Sequence, residues 1–300
     1  MAERLISALA WYGPKTDPLR DLLARVQHLV AEQAGAGFRP YTLEQVHATL
    51  IALDGVIEPG SGAVVNEAFG LNLGVRAEMD LPQVMAVLKR RFRVPLPVRF
   101  GGFSAGSPAP FLSRGQHPFE RSFSAQGNAF VLVGWPAVSL LGPGAAAPAD
   151  GLRREANAAG VLHRYHFGYQ DVDNDLHLVL GHWADAAPQA RTAAAAGTAV
   201  AAAVAAAVAA VREALAEAPV EVAIGLDDVR VVASDSRTMA PPLYVSAIPA
   251  DEEELLALMR SARDADFHDR EGLLLPWQQH VFAIMKITGW VREFLQDVRW

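Results

Sequence analysis

The chain of 300 residues is long enough for one large domain or two lobes with an ample core, and its apolar share of 51% and charged share of 20% are those of an ordinary soluble globular protein. A net charge of -7 excludes the gripping of a long polyanion on a broad basic surface, but leaves room for a small phosphorylated ligand in a local pocket. With no cysteine there are no disulfides, thiolate nucleophiles or Cys-ligated metals.

In chain order, "LISALAWY" reads as a first strand, too short for a membrane span and unlike a signal peptide, so the expected location is cytoplasmic. "DPLRDLLARVQHLVAEQAG" places Leu19, Leu22, Leu23, Val26, Leu29 and Val30 at helical spacing, with Asp17 as the expected N-cap and Gly35 beyond the end. "QVHATLIAL" is a strand. Residues 55–75 are Gly-rich and aperiodic, as in an insertion or hairpin. "DLPQVMAVLKRRF" is a helix capped by Asp80, with Pro82 in its first turn. "LPVRFGGFSA", "FERSFSAQ" and "NAFVLVGW" read as three strands, the last two joined by a "QGN" turn.

After the "GPGAAAPAD" loop come a helix from about Asp150 to Ala159, a strand near "LHRYHFGY", and the strand of "DLHLVL". Thr192 to Val211 is about 20 uncharged residues long, but alanine dominates it and Leu, Ile and Phe are absent. Alanine favours helix and contributes little to lipid insertion, so this is a packed helix and no membrane partner is expected. "VEVAIGLDDVRVVASD" and "PLYVSAIP" supply further strands, and "ADEEELLALMRSARD" an amphipathic helix. In the tail, Val281, Ile284, Met285, Ile287, Trp290, Val291, Phe294 and Leu295 form one apolar face of a helix suited to self- or partner-association.

Strands and helices alternate irregularly, with adjacent strand pairs. This implies an α+β fold with largely antiparallel sheets and helices outside. A domain over 1–250 and a helical extension over 251–300 are expected.

Two phrases carry the chemistry. "HATL" begins at His47 and "HLVL" at His177, about 130 residues later, each in a strand with a helix ahead of it. In a strand, residues i and i+2 share a face. His47 therefore sides with Thr49, and His177 with Val179, while Ala48, Leu50, Leu178 and Leu180 pack beneath. Two imidazoles titrating near neutrality can act as base and acid across a phosphodiester, and a hydroxyl beside them can hold the phosphate oxygens.

This pair of motifs resembles the two-histidine (2H) phosphoesterase superfamily, which includes RNA 2′,3′-cyclic phosphodiesterases and proteins called 2′-5′ RNA ligases. The resemblance implies a bilobal, pseudo-symmetric duplication around a central cleft. It implies His47 and His177 as catalytic residues, Thr49 and the Val179 position against the substrate, no metal and no cofactor. The first motif matches the His-x-Thr/Ser-x pattern fully. The second has Val179 where the family has a hydroxyl. The implied function is a metal-independent phosphodiesterase acting on a small phosphodiester or RNA end. The alternative is a catalytically lapsed protein that binds a nucleotide or RNA end. Arg121, between Phe119 and Phe123, and Tyr165 could add charge and stacking for such a ligand.

Two rivals are weaker. "GFSAG" matches a nucleophile elbow around Ser104, but Pro108 and Pro110 follow where a helix is required. His163, His166, His177 and His182 lie near Asp171, Asp173 and Asp175, but Leu176 and His182 break the calcium-loop pattern. The expected reading is a solvated aspartate turn, with His163 and His166 at a strand surface or cleft rim.

Overall fold

The computed structural model describes residues 5–58, 60–142, 144–163, 172–183, 194–236, 238–248 and 252–261. Tyr165, His166, Asp171 and the expected tail helix lie outside the described residues, as does most of the strand expected near "LHRYHFGY"; its described part, 162–163, is not strand.

The strands are β1 (Leu5–Ala10), β2 (Phe38–Pro40), β3 (Ala48–Ala52), β4 (Gly55–Ile57), β5 (Val64–Asn66), β6 (Leu96–Phe100), β7 (Phe123–Gln126), β8 (Ala129–Pro136), β9 (Leu176–Trp183), β10 (Val220–Ile224), β11 (Val229–Ser234) and β12 (Tyr244–Ala247). The helices are α1 (Asp17–Ala34), α2 (Glu67–Leu73), α3 (Leu81–Arg91), α4 (Pro118–Ser122), α5 (Pro148–Ala158), α6 (Ala194–Glu217) and α7 (Glu252–Ser261).

Ten strands form one antiparallel sheet in the order β10-β6-β8-β9-β3-β1-β11-β12, with β2 added to β9 and β7 to β8. A separate β4–β5 hairpin fills the stretch expected as an insertion, and α2 follows it. The mixed α+β class is therefore as expected.

Period-two burial orients the central strands. Ala48, Leu50, Leu176, Leu178 and Leu180 are buried with Leu19, Leu22, Leu23, Val26 and Val30 of α1 in the main core. The apolar spacing of α1 thus does what its pattern requires, covering one face of the sheet. α6 adds Ala207, Val211 and Leu215 to the same core, and α7 adds Leu255 and Met259. Among the described residues, no helix is long and apolar enough to cross a membrane.

The other face carries two smaller apolar clusters. Leu5 and Leu9 of β1 pack with Val232 and Met239, while Phe103 packs with Val131, Val133 and Trp135 of β8. β3 and β9 run between β1 and β8, so their outward residues lie between these clusters.

Local chemistry moves some boundaries. Thr16, not Asp17, is the N-cap of α1, and Asp17 and Pro18 form its first turn. Asp80 does cap α3, accepting from the backbone N–H of Gln83 at 2.9 Å. "FERS" is a short helix rather than the start of a strand. Pro118 suits a first helical turn, and the His117 Nδ1 accepts the Phe119 N–H at 3.1 Å. Arg121 therefore projects from α4.

Candidate active site

The site begins with one backbone pairing. Ala48 of β3 stands opposite Leu178 of β9. In an antiparallel pair, the flanking residues are then Thr49 across from His177 and His47 across from Val179. All four point away from the main core and line one pocket of about 310 Å³. The two histidines are diagonal neighbours, a separation of roughly 7–8 Å in such a pair. The floor continues sideways, since Leu9 pairs with Thr49, Val133 with His177, and Val131 with Val179.

His47 follows a turn in which the N–H groups of Gln45 and Val46 reach the Thr42 carbonyl, at 3.1 and 3.2 Å. Its Nδ1 lies 2.7 Å from the Gln45 carbonyl oxygen. A carbonyl only accepts, so Nδ1 carries the proton and Nε2 keeps its lone pair. The Tyr12 ring lies 5.8 Å from the imidazole, and the Tyr12 hydroxyl is tied to the Met239 carbonyl at 2.7 Å. Burial pushes the His47 imidazole down to about 4, helped by the charge of Lys15 and opposed by the Gln45 carbonyl. At neutral pH this ring is neutral.

His177 sits among fixed charges. Its Nε2 is 3.2 Å from Arg121 Nη2 and 3.7 Å from Asp175 Oδ2. Arg121 also donates to Asp175 Oδ2 at 2.9 Å and to Ser113 Oγ at 3.3 Å. Asp175 Oδ1 accepts from Trp135 Nε1 at 2.7 Å, and Ser113 Oγ approaches both carboxylate oxygens, at 2.9 and 2.7 Å. Burial alone raises the pKa of such a carboxyl. Here the nearby His177 and the bonds from Arg121 and Ser113 prevail and hold Asp175 well below the usual carboxylate range.

The segment before β9 is not the solvated aspartate turn expected. Asp173, Asn174 and Asp175 are buried. Asn174 Oδ1 accepts the Ala149 N–H at 2.9 Å, and Asp150 Oδ1 accepts the Asp173 N–H at 3.0 Å, so the start of α5 anchors it. Arg153, also on α5 and buried, pairs with Asp173 Oδ1 at 3.0 Å. It donates to the carbonyls of Leu50, Asp173 and Asp175 at 3.2, 2.7 and 3.1 Å. One guanidinium thus joins β3 to the lead-in of β9 and fixes the two histidine strands in register. His163, expected at a surface or rim, is buried and lines the pocket.

Of the residues singled out in the sequence, His47, Thr49, His177 and Val179 meet in the pocket. Arg121 reaches the site from beneath, through Asp175 and His177, and its side chain is only 14% exposed. Tyr165 lies outside the described residues. Sequence reasoning missed Tyr41, Arg114, Gln126, Arg153 and Thr238, which complete the lining. None sits in a motif, and no sequence pattern marks them.

The rival readings find little support. Ser104 is exposed in a loop, its Oγ 2.7 Å from Ser107 Oγ, and no helix follows it. Among the described residues, no three His, Cys, Asp or Glu side chains converge on a point that could hold a metal ion.

No family model and no curated protein matches the chain. It is similar to a solved structure, TT0787 of Thermus thermophilus, at 13% identity over 82% of this chain and 99% of that one, with a TM-score of 0.36. A likeness of that size carries no argument about function.

Proposed function

We propose that the protein is a two-histidine phosphodiesterase that cleaves a small phosphodiester or RNA end, a 2′,3′-cyclic phosphate or 2′-5′ linkage, without metal. The observation that carries this is the Ala48–Leu178 pairing, which puts His47, Thr49, His177 and Val179 on one face over one pocket. The strand order supports an underlying duplication with its cleft at the seam, since four strands of the main path lie on either side of the β3–β9 boundary and each histidine strand is innermost.

The two rings are not equivalent. His47 is neutral, with Nε2 free to take a proton from the attacking water. His177 is left the opposite role, passing a proton to the leaving oxygen as the P–O electron pair departs, with Arg121 Nη2 3.2 Å from its Nε2. The Thr49 hydroxyl donates to a phosphate oxygen, and Arg114 and Arg153 contribute positive charge to the pocket.

The test is turnover of a 2′,3′-cyclic nucleotide and a 2′-5′ linked dinucleotide in the presence of EDTA. His47→Ala and His177→Ala are each expected to lower the rate by roughly 100-fold or more. Activity that survives both substitutions removes these histidines from the mechanism, and loss on chelation favours a metal enzyme.

Val179 favours a second reading, a lapsed enzyme that retains binding. It places a methyl group opposite His47, where the family pattern has a donor, and packs against the Phe103–Trp135 cluster. Calorimetric binding of the same nucleotides without turnover would select it.

A further inference from the structure

Among the described residues, the pocket is charged at one end only. Beyond His47 its lining is Tyr41, Gln126 and Thr238, none of which carries a charge. Tyr41 donates its N–H to the Leu180 carbonyl at 2.9 Å, Gln126 pairs with Ala129, which stands opposite His182, and the Thr238 carbonyl accepts from Gln45 at 3.3 Å. In the other direction along β9, beyond His177, the lining holds Arg114, Arg153 and Asp173. The side chains of Arg153 and Asp173 are only 4% and 5% exposed and bonded to each other at 3.0 Å. Arg114 is 39% exposed and meets Asp173 at 3.2 Å. The guanidinium presented to a ligand at this end is therefore that of Arg114.

Its backbone is strained to stand there. Arg114 has a φ of 48°, in the left-handed region, and Gly115 follows at 75°. Around them Ser113 and Gln116 exchange backbone hydrogen bonds, each of 3.0 Å. A two-residue turn of this kind favours Asn, Asp or Gly at its first position, and a long side chain there is uncommon. The turn is also tied down, since Ser113 Oγ reaches Asp175 Oδ2 at 2.7 Å. A strained residue on a fixed turn, with its side chain in a pocket, points to function rather than to folding.

Building on the two-histidine reading above, we propose that Arg114 is a specificity-determining residue that binds a second phosphate of the substrate, beyond the scissile one. The scissile group lies between the two imidazoles. With His47 taking the proton of the water, the ribose oxygen of a cyclic phosphate leaves toward His177, so the departing nucleoside and its next phosphate lie toward Arg114. A guanidinium fork holds a phosphate through two parallel N–H···O bonds. Arg153 still neutralises Asp173 when Arg114 turns to the ligand. The cavity of about 310 Å³ is at the small end of ligand sites, so the ligand is short. The second phosphate is then a 5′-monoester on a mononucleotide or the next diester of an RNA end.

The test compares a nucleoside 2′,3′-cyclic phosphate, its 5′-phosphorylated form, and a dinucleotide ending in the cyclic phosphate, in the wild-type full chain and in Arg114→Gln. The wild type should favour one or both of the latter in kcat/KM. Arg114→Gln should lower that preference roughly 10-fold or more, the scale of a bond to a charged group, and through KM rather than kcat. Arg114→Lys, which keeps the charge and loses the fork, should restore part of it. Dependence confined to the monoester or to the dinucleotide supports the proposal and identifies the source of the phosphate. An equal loss on all three substrates overturns it, because the guanidinium then serves the scissile phosphate or the fold, and so does no loss on any. Should Arg114→Gln not fold, calorimetry of the same ligands on the wild type decides: tighter binding of a form with the second phosphate supports the proposal, and equal affinities or no binding overturn it. The two readings fail separately. Arg114-dependent binding of the second phosphate without turnover sinks the phosphodiesterase and keeps this site, whereas turnover indifferent to the second phosphate does the reverse.

Discussion

Arg153 reaches the backbone carbonyls on both sides of the site, that of Leu50 in the first histidine strand and that of Asp175 just ahead of the second. The site is therefore held together from below by a buried cation rather than by its own functional groups. Arg153→Met leaves Asp173 short of a partner and several buried carbonyls without donors, and removing one member of a buried ion pair costs roughly 3–5 kcal/mol. Urea denaturation should show a loss near the lower figure, because Arg114 also contacts Asp173 at 3.2 Å. Wild-type stability in this variant would mean that the strands do not depend on Arg153.

Val179 offers the test that separates enzyme from lapsed binder. Thr has the shape of Val, and position 179 is only partly buried, facing the pocket. In a working enzyme, Val179→Thr adds a donor beside the substrate, worth about 1.5–3 kcal/mol to a charged group, so the rate should rise several-fold or more. Weaker nucleotide binding with turnover still undetectable would point instead to a pocket whose ligand wants an apolar contact there.

His47 makes stability depend on pH in a definite direction. Its ring titrates at about 4 in the fold against 6.5 ordinarily, so between those values the unfolded chain binds a proton that the native state refuses. Stability falls as pH drops through that window and is unaffected by this group above it. Melting curves of His47→Gln should lack this part of the acid slope, a difference of roughly a few degrees at pH 4.5. Parallel slopes in variant and wild type would show that His47 is not held neutral. Asp175 acts lower: its carboxylate stabilises the fold above its ordinary range, and that contribution goes as pH falls below about 3.8.

Ser104→Ala should leave any phosphodiesterase or esterase activity unchanged, because this hydroxyl lies in an exposed loop bonded to Ser107 and no helix completes an elbow. Abolition of turnover by this substitution would revive the serine-hydrolase reading.

Much of the site was legible in the sequence, and for one reason. A strand with one face buried must alternate, so "HATL" and "HLVL" fixed which side chains share a side and which lie beneath. Burial of Ala48, Leu50, Leu178 and Leu180 under α1 follows from that alternation. Helical spacing likewise gave α1, α3 and α7, where long apolar stripes leave little choice of partner face. Alternation says nothing of register. That Ala48 meets Leu178, and so brings two histidines 130 residues apart onto one floor, is a matter of non-local pairing that only the folded sheet decides. Short elements were also lost: "FERS" has too few residues for a period, and its helix rests on Pro118 and the His117 cap. The charged interior was the deepest miss. Asp173 and Asp175 look like solvent residues in a one-dimensional reading, because a carboxylate is buried only when cations from elsewhere meet it. Here Arg121, Arg114 and Arg153 arrive from distant segments, and tertiary structure alone sets that encounter.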